Sequence, residues 1–163
     1  MTDRFDFGGE IVWRPTPEYV DRSHLMRFMT THGIESFAEL MERSTSDVAW
    51  FTDAVLQHLD IEFQKPYSTV VDLSAGIQRP NWCVGGKLNI AYNCVDKWAD
   101  DPRTSDRPAL VWEGEEGKSR TLTYRQLNQE VNRCANALRQ LGFAHGDALG
   151  IYMPMTPEIA VAL

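Results

Sequence analysis

The amino-acid sequence predicts an α/β chain, α+β overall, in which a helical N-terminal region precedes a β-hairpin and a β-α-β run. Three observations carry this. Apolar residues at helical spacing recur in three short stretches within the first 60 residues. A strand-like run, a glycine-bounded turn and a second run follow at 109–123. A strongly periodic helix and another strand-like run come directly behind.

In chain order, Pro15 and Pro17 flank Thr16, a residue suited to cap a helix with proline at its first position. Tyr19, Val20, Leu25, Met26, Phe28 and Met29 extend one amphipathic helix from there to Gly33. A second short helix starts at Ser36 with Phe37, Leu40 and Met41. A third follows Ser46 and carries Val48, Trp50, Phe51, Val55, Leu56 and Leu59. Residues 60–86 hold Pro66, Gly76, Pro80, Gly85 and Gly86, which break any long period, and read as an ordered, irregular connector. Leu88 to Trp98 is predicted helical. The chain thus reads as a helical N-terminal region and a second, α/β region joined through this connector.

The clearest local pattern lies in the second region. Ala109-Leu110-Val111-Trp112, a turn at Gly114 to Gly117, and Thr121-Leu122-Thr123 make the hairpin. Thr123 and Gln126 match a capping box, in which each side chain satisfies an orphan amide of the helix start. Leu127, Val131, Cys134, Leu138 and Leu141 then share one face, and Gly142 suits a left-handed terminus. Gly146-Asp147 turns the chain into a predicted strand at 148–153, expected to lie parallel to an earlier strand across the helix. Thr156-Pro157-Glu158 starts a last helix, which reaches Leu163 without a cap. The chain is therefore expected to be incomplete, inert in catalysis and only marginally folded alone, with apolar sheet edges exposed.

Composition excludes several classes of partner. Asp and Glu number 23 against 16 Lys and Arg, so the net charge of -7 opposes binding to nucleic acid. No Lys/Arg run suits a membrane surface, and no apolar run reaches the roughly 18 residues that a spanning helix needs. Cys83, Cys94 and Cys134 form no CxxC pair, which fits reduced thiols in a cytoplasmic protein. Cys94 and Cys134 are expected in the core, and Cys83 can be exposed.

Few residues suggest chemistry. Gly85-Gly86-Lys87 invites a phosphate-loop reading, but Asn81 and Leu88 stand where a P-loop needs Gly and Ser or Thr, so a tight turn is expected. His24, His32, His58 and His145 share no metal-ligand spacing and read as surface or helix-end residues. Ser74 lacks the preceding glycine of a nucleophile elbow, and Asp72 reads as a turn former. Glu113, Glu115 and Glu116 crowd the hairpin tip as solvated carboxylates. The five tryptophans suit core or interdomain packing. No catalytic, cofactor-binding or metal-ligating residue is assigned.

An ordered set of strings carries a family resemblance. Trp13-Arg14-Pro15, Glu39-Leu40-Met41-Glu42-Arg43-Ser44, Trp50-Phe51, Pro66-Tyr67 and Val71-Asp72-Leu73-Ser74-Ala75-Gly76 come first. Trp82-Cys83-Val84-Gly85-Gly86-Lys87-Leu88-Asn89, Tyr92-Asn93-Cys94-Val95-Asp96 and Ala109-Leu110-Val111-Trp112-Glu113-Gly114-Glu115 follow. Leu122-Thr123-Tyr124-Arg125-Gln126-Leu127 and Ile151-Tyr152-Met153-Pro154-Met155 with Pro157-Glu158 complete it. Together they resemble the N-terminal portion of the AMP-forming acetyl-CoA synthetases. The resemblance implies an N-terminal extension over 1–86 and the start of an AMP-binding (adenylation) domain over 87–163. It implies that the complete enzyme joins a short carboxylate to ATP with Mg²⁺ assistance, then passes the acyl group from AMP to CoA. The motifs for that chemistry have no matching position in this chain. Cys83, Trp98 and Ala148 depart from the family pattern, and acetoacetate or propionate remain open beside acetate. A stand-alone module docking on a partner synthetase, or a degenerate product without a role, are the competing readings; the oligomeric state is left open.

Overall fold

The structure is a computed structural model, and it describes residues 12–163. These fall into two compact units: the described part of Met1–Ile61 with Ser68–Val84, and Glu62–Tyr67 with Gly85–Leu163.

The first unit is built from four helices and a two-stranded sheet. Helix α1 (Pro17–Asp21) has Pro17 in its first turn, and the Thr16 hydroxyl accepts from the Tyr19 N–H at 3.3 Å. The single helix predicted from here to Gly33 is in fact two. Ser23 interrupts it, because its hydroxyl accepts the Met26 N–H at 3.0 Å and so caps a new helix, α2 (His24–Thr31). Helix α3 (Phe37–Ser46) is capped by Ser36 and α4 (Val48–His58) by Asp47, whose carboxylate accepts from the Trp50 N–H at 2.8 Å. Phe28, Met29, Ile34, Leu40 and Ala54 are buried together, with Trp50, Phe51 and Val55 packed against them. The Phe28 ring centroid lies 5.9 Å from that of Phe51 and 5.4 Å from that of His58, both edge-on.

The stretch expected as an irregular connector contains strands β1 (Thr69–Asp72) and β2 (Asn81–Val84). They pair antiparallel, with Thr69 opposite Val84 and Val71 opposite Trp82. Four residues per strand are too few to display a period, and the loop between them hides the pairing. Asp72 forms the turn as predicted, its carboxylate accepting the Ser74 N–H at 2.9 Å.

In the second unit, residues 90–100 are helical. Their centre, Tyr92–Asp96, is wound as a π turn, and α5 (Lys97–Asp100) continues it. This winding buries Asn93 and Val95 and leaves Cys94 exposed, against its predicted place in the core. Strands β3 (Pro108–Glu113) and β4 (Ser119–Thr123) form the predicted antiparallel hairpin, with Leu110 opposite Leu122. Helix α6 (Tyr124–Gln140) begins with the predicted capping box, Thr123 and Gln126 each accepting the other's backbone N–H. It ends where Gly142 takes φ +93 and the Phe143 N–H returns to the Leu138 carbonyl at 3.1 Å, the pattern of a Schellman motif. Leu127 on its stripe is buried with Val95 and Leu122, and Ala109, Leu110, Val131 and Val161 close around them.

Helix α7 (Pro157–Ala162) has proline in its first turn, though Thr156 makes no side-chain cap. The strand predicted at 148–153 runs outside any ladder, and both sheets among the described residues are antiparallel pairs. An apolar run has strand character only when a neighbouring backbone accepts its hydrogen bonds, and none of the described strands pairs with this one. Gly146-Asp147 does turn the chain: the Asp147 carboxylate accepts the Ala144 N–H at 2.7 Å.

Replacing the cap residue tests the α6 assignment. Thr123→Ala is expected to lower stability to chemical denaturation by about 1 kcal/mol, and Thr123→Ser to retain most of it.

Candidate functional site

The densest polar constellation surrounds the helix at 90–100 and the loop behind it. Asp96 accepts from the Asn128 side-chain amide at 2.6 Å. Glu62 accepts the Tyr92 hydroxyl at 3.1 Å and lies 3.9 Å from the Lys97 ammonium. Its carboxylate beside the phenol raises the Tyr92 pKa above its ordinary value. In the loop at 101–107, the Arg103 guanidinium forks onto the Asp101 carboxylate, with the shortest contact at 2.7 Å. These side-chain bonds, joined by the Arg103 backbone N–H, hold the Asp101 carboxyl below its usual range.

Ser105 is the most buried residue of this loop, at 1% exposure. It accepts on its hydroxyl from the Arg125 guanidinium at 2.9 Å and on its carbonyl from the Arg125 N–H at 3.0 Å. Asp106 takes the Arg125 Nε at 3.1 Å. The loop thereby satisfies orphan amides at the start of α6, since the Tyr124 N–H also reaches the Arg107 carbonyl. Each of these groups is spent on another protein group. No buried side-chain polar atom lacks a partner among the described residues.

Concave surface is shallow. A cleft of about 220 Å³ is lined by Glu62, Phe63, Gln64 and Tyr92. In the first unit an apolar cleft of about 150 Å³ is lined by Val48, Val71, Leu73, Ile77, Pro80 and Trp82. Neither brings a nucleophile next to a base.

The residues weighed from sequence behave mostly as structural ones. Gly85 takes φ +76 in a turn, and Lys87 behind it exchanges backbone hydrogen bonds with Lys65. His24, His32 and His58 sit at helix ends, and no group of three His, Cys, Asp or Glu among the described residues could hold a metal ion. Cys83 is half-buried, and burial followed by the charge of Asp53 pushes its thiol up, away from the reactive thiolate. Glu116 pairs with Lys118 at the exposed hairpin tip. Sequence reasoning missed Asn93, Glu62 and the π turn. Glu62 and Asn93 are 31 positions apart, so no local spacing marks them.

Residues 149–155 present an apolar exposed segment. Leu149, Ile151, Tyr152, Met153 and Met155 are all solvent-facing, Tyr152 fully so. Two contacts fix its far end to the hairpin. The Trp112 indole N–H donates to the Met155 carbonyl at 2.7 Å, and Arg120 pairs with Glu158 at 2.6 Å. Among the described residues no helix is long and apolar enough to cross a membrane.

Residues 96–163 match the family described as AMP-binding enzyme, and residues 37–94 match the one described as acetyl-coenzyme A synthetase N-terminus. The chain belongs to the AMP-binding enzymes. Within them it corresponds to the N-terminal portion of the acetyl-coenzyme A synthetases. It is 46% identical over 104 residues to an acetyl-coenzyme A synthetase of Mycolicibacterium smegmatis, covering 63% of this chain and 11% of that protein. It is 40% identical to one of Gemmatimonas aurantiaca, covering 76% of this chain and 18% of that protein. A 3-hydroxypropionyl-coenzyme A synthetase of Metallosphaera sedula is 37% identical, covering 81% of this chain and 19% of that protein. The solved acetoacetyl-CoA synthetase of Streptomyces lividans superposes with a TM-score of 0.79 at 27% identity, covering 92% of this chain and 24% of that one. The chain thus spans less than a quarter of the length of each, and the α+β arrangement is that of the solved relative's N-terminal region.

The loop at 101–107 makes a titration prediction. A carboxyl depressed on folding stabilises the native state above its unfolded value of about 3.9, and that contribution fades as pH falls through the lower folded value. Arg103→Gln is expected to move the Asp101 carboxyl resonance midpoint upward, toward the ordinary value, in an NMR pH titration.

Proposed function

We propose that the chain serves in an AMP-forming acyl-CoA synthetase that activates a short carboxylate, with acetate as the preferred substrate. The carboxylate oxygen attacks the α-phosphorus of ATP, giving an acyl-adenylate and pyrophosphate. The CoA thiolate then attacks the acyl carbon and releases AMP. The observation that carries this reading is the succession of the two family matches along residues 37–94 and 96–163. Acetate is favoured by the names of the more identical relatives, with acetoacetate and propionate as alternatives. A cytoplasmic location accords with the absence of a disulfide pattern and of a spanning helix among the described residues.

Within that reaction the described residues have an architectural part. They offer no set of three ligands for Mg²⁺. The only glycine pair followed by lysine is drawn into the backbone bridge with Lys65 rather than left open to phosphate. In this reading no step of the reaction is assigned to a residue of this chain, and nucleotide, CoA and Mg²⁺ would be held elsewhere in the enzyme. The α6 hairpin unit supplies packed framework instead.

Two preparations test the reading together. The purified 163-residue chain is expected to give no acetate-dependent ATP–pyrophosphate exchange. The native protein, captured from source cells with an antibody to this chain, is expected to catalyse that exchange and to form acetyl-CoA faster than the acetoacetyl or propionyl product. Exchange by the chain alone would contradict the architectural part. A native protein inactive with all three carboxylates would contradict the synthetase assignment.

A further inference from the structure

We propose that residues 62–67 are a strap docked on the helix at 90–100, latched by the side chain of Asn93 and able to open as one piece. The chain enters the second unit at Glu62 and returns to the first at Ser68, so the strap is a short excursion between two segments of the first unit. Asn93 is 8% exposed, one of two polar residues buried among the described ones. Its amide oxygen accepts the Glu62 N–H at 2.8 Å, and its amide nitrogen donates to the Glu62 carbonyl at 2.9 Å. The side chain thus takes both backbone groups of one strap residue, as a neighbouring strand would. Its second amide hydrogen is directed to the Asn89 carbonyl at 3.1 Å.

The π turn makes this latch possible. Extra winding between Tyr92 and Asp96 places Asn93 on the inner side, and the Trp98 indole N–H donates to the Asn93 carbonyl at 2.8 Å. The latch is thereby fixed from its own backbone. At the far end of the strap, Lys65 and Lys87 exchange N–H···O bonds of 3.3 and 2.9 Å. The buried cluster of this unit, Val95, Leu122 and Leu127 with Ala109, Leu110, Val131 and Val161, includes no strap residue. Opening the strap therefore costs these polar contacts and any packing of half-buried Phe63 and Tyr67, and leaves that cluster closed. Glu62, Phe63 and Gln64 line the 220 Å³ cleft with Tyr92, so opening would dismantle that cleft as well.

Amide hydrogen exchange on the whole chain, read residue by residue, tests the latch. Asn93→Ala removes two hydrogen bonds to Glu62. Exchange at the strap amides and at Lys87 is expected to accelerate at least about tenfold. Amides of α6 and of the β3–β4 hairpin should stay within about twofold of the parent. Asn93→Asp keeps an oxygen for the Glu62 N–H but has no donor for the Glu62 carbonyl, and is expected to accelerate the same strap amides selectively. This variant decides the matter if Asn93→Ala fails to fold. An unchanged strap in either folded variant would overturn the proposal. Equal acceleration across α6 and the hairpin, or unfolding of both variants, would also overturn it, because Asn93 would then be a general support of the fold.

Discussion

Helix α6 must bury one narrow stripe, and the second unit is arranged around that requirement. Its stripe faces the β3–β4 hairpin, the helix at 90–100 and α7, each of which packs on it. Leu127 meets Leu122 from the strand just before the helix and Val95 from the π-wound segment. The join between strand and helix is rigid because Thr123 ends β4 and caps α6 at once. The loop at 101–107 adds backbone acceptors for the amides of Tyr124 and Arg125, so the helix start is closed on several sides. One helix direction then sets where the hairpin and α7 can lie.

The first unit follows a different logic. Its helices are short, between 5 and 11 residues, and helices of that length gain little from propensity alone. Side-chain caps at Thr16, Ser23, Ser36 and Asp47 define each start, while Phe28 and its aromatic neighbours supply the burial. Arg43 lies 3.6 Å over the Trp50 ring and covers apolar surface that the small core cannot enclose. Each unit thus has a buried cluster of its own.

What was legible in the sequence had local causes. The α6 stripe repeats over four turns, its capping box spans four residues, and Gly142 stops it, so short-range rules suffice. The hairpin was legible because its strands are separated only by a short turn. The β1–β2 pair was not, since Val71 meets Trp82 across a loop without periodicity. The break at Ser23 was hidden by apolar residues that continue at helical spacing on both sides of it. The π turn and the Asn93 contact with Glu62 have no local signature, because one extra residue per turn changes which side chains point inward. Residues 148–153 show the opposite failure: their pattern is strand-like, but a ladder depends on a neighbour that the pattern cannot supply. Asp72 as a turn former and the helix-end places of His24 and His58 were legible because each is set by neighbours within a few positions.

Hydrogen exchange across the chain in Leu127→Ala tests the central role of α6 most directly. Truncating this buried leucine is expected to cost about 2–4 kcal/mol. Protection should fall together in β3, β4, the helix at 90–100 and α7, while the amides of α2, α3 and α4 keep their parent rates. Loss confined to α6, or equal loss in α2 to α4, would contradict the account.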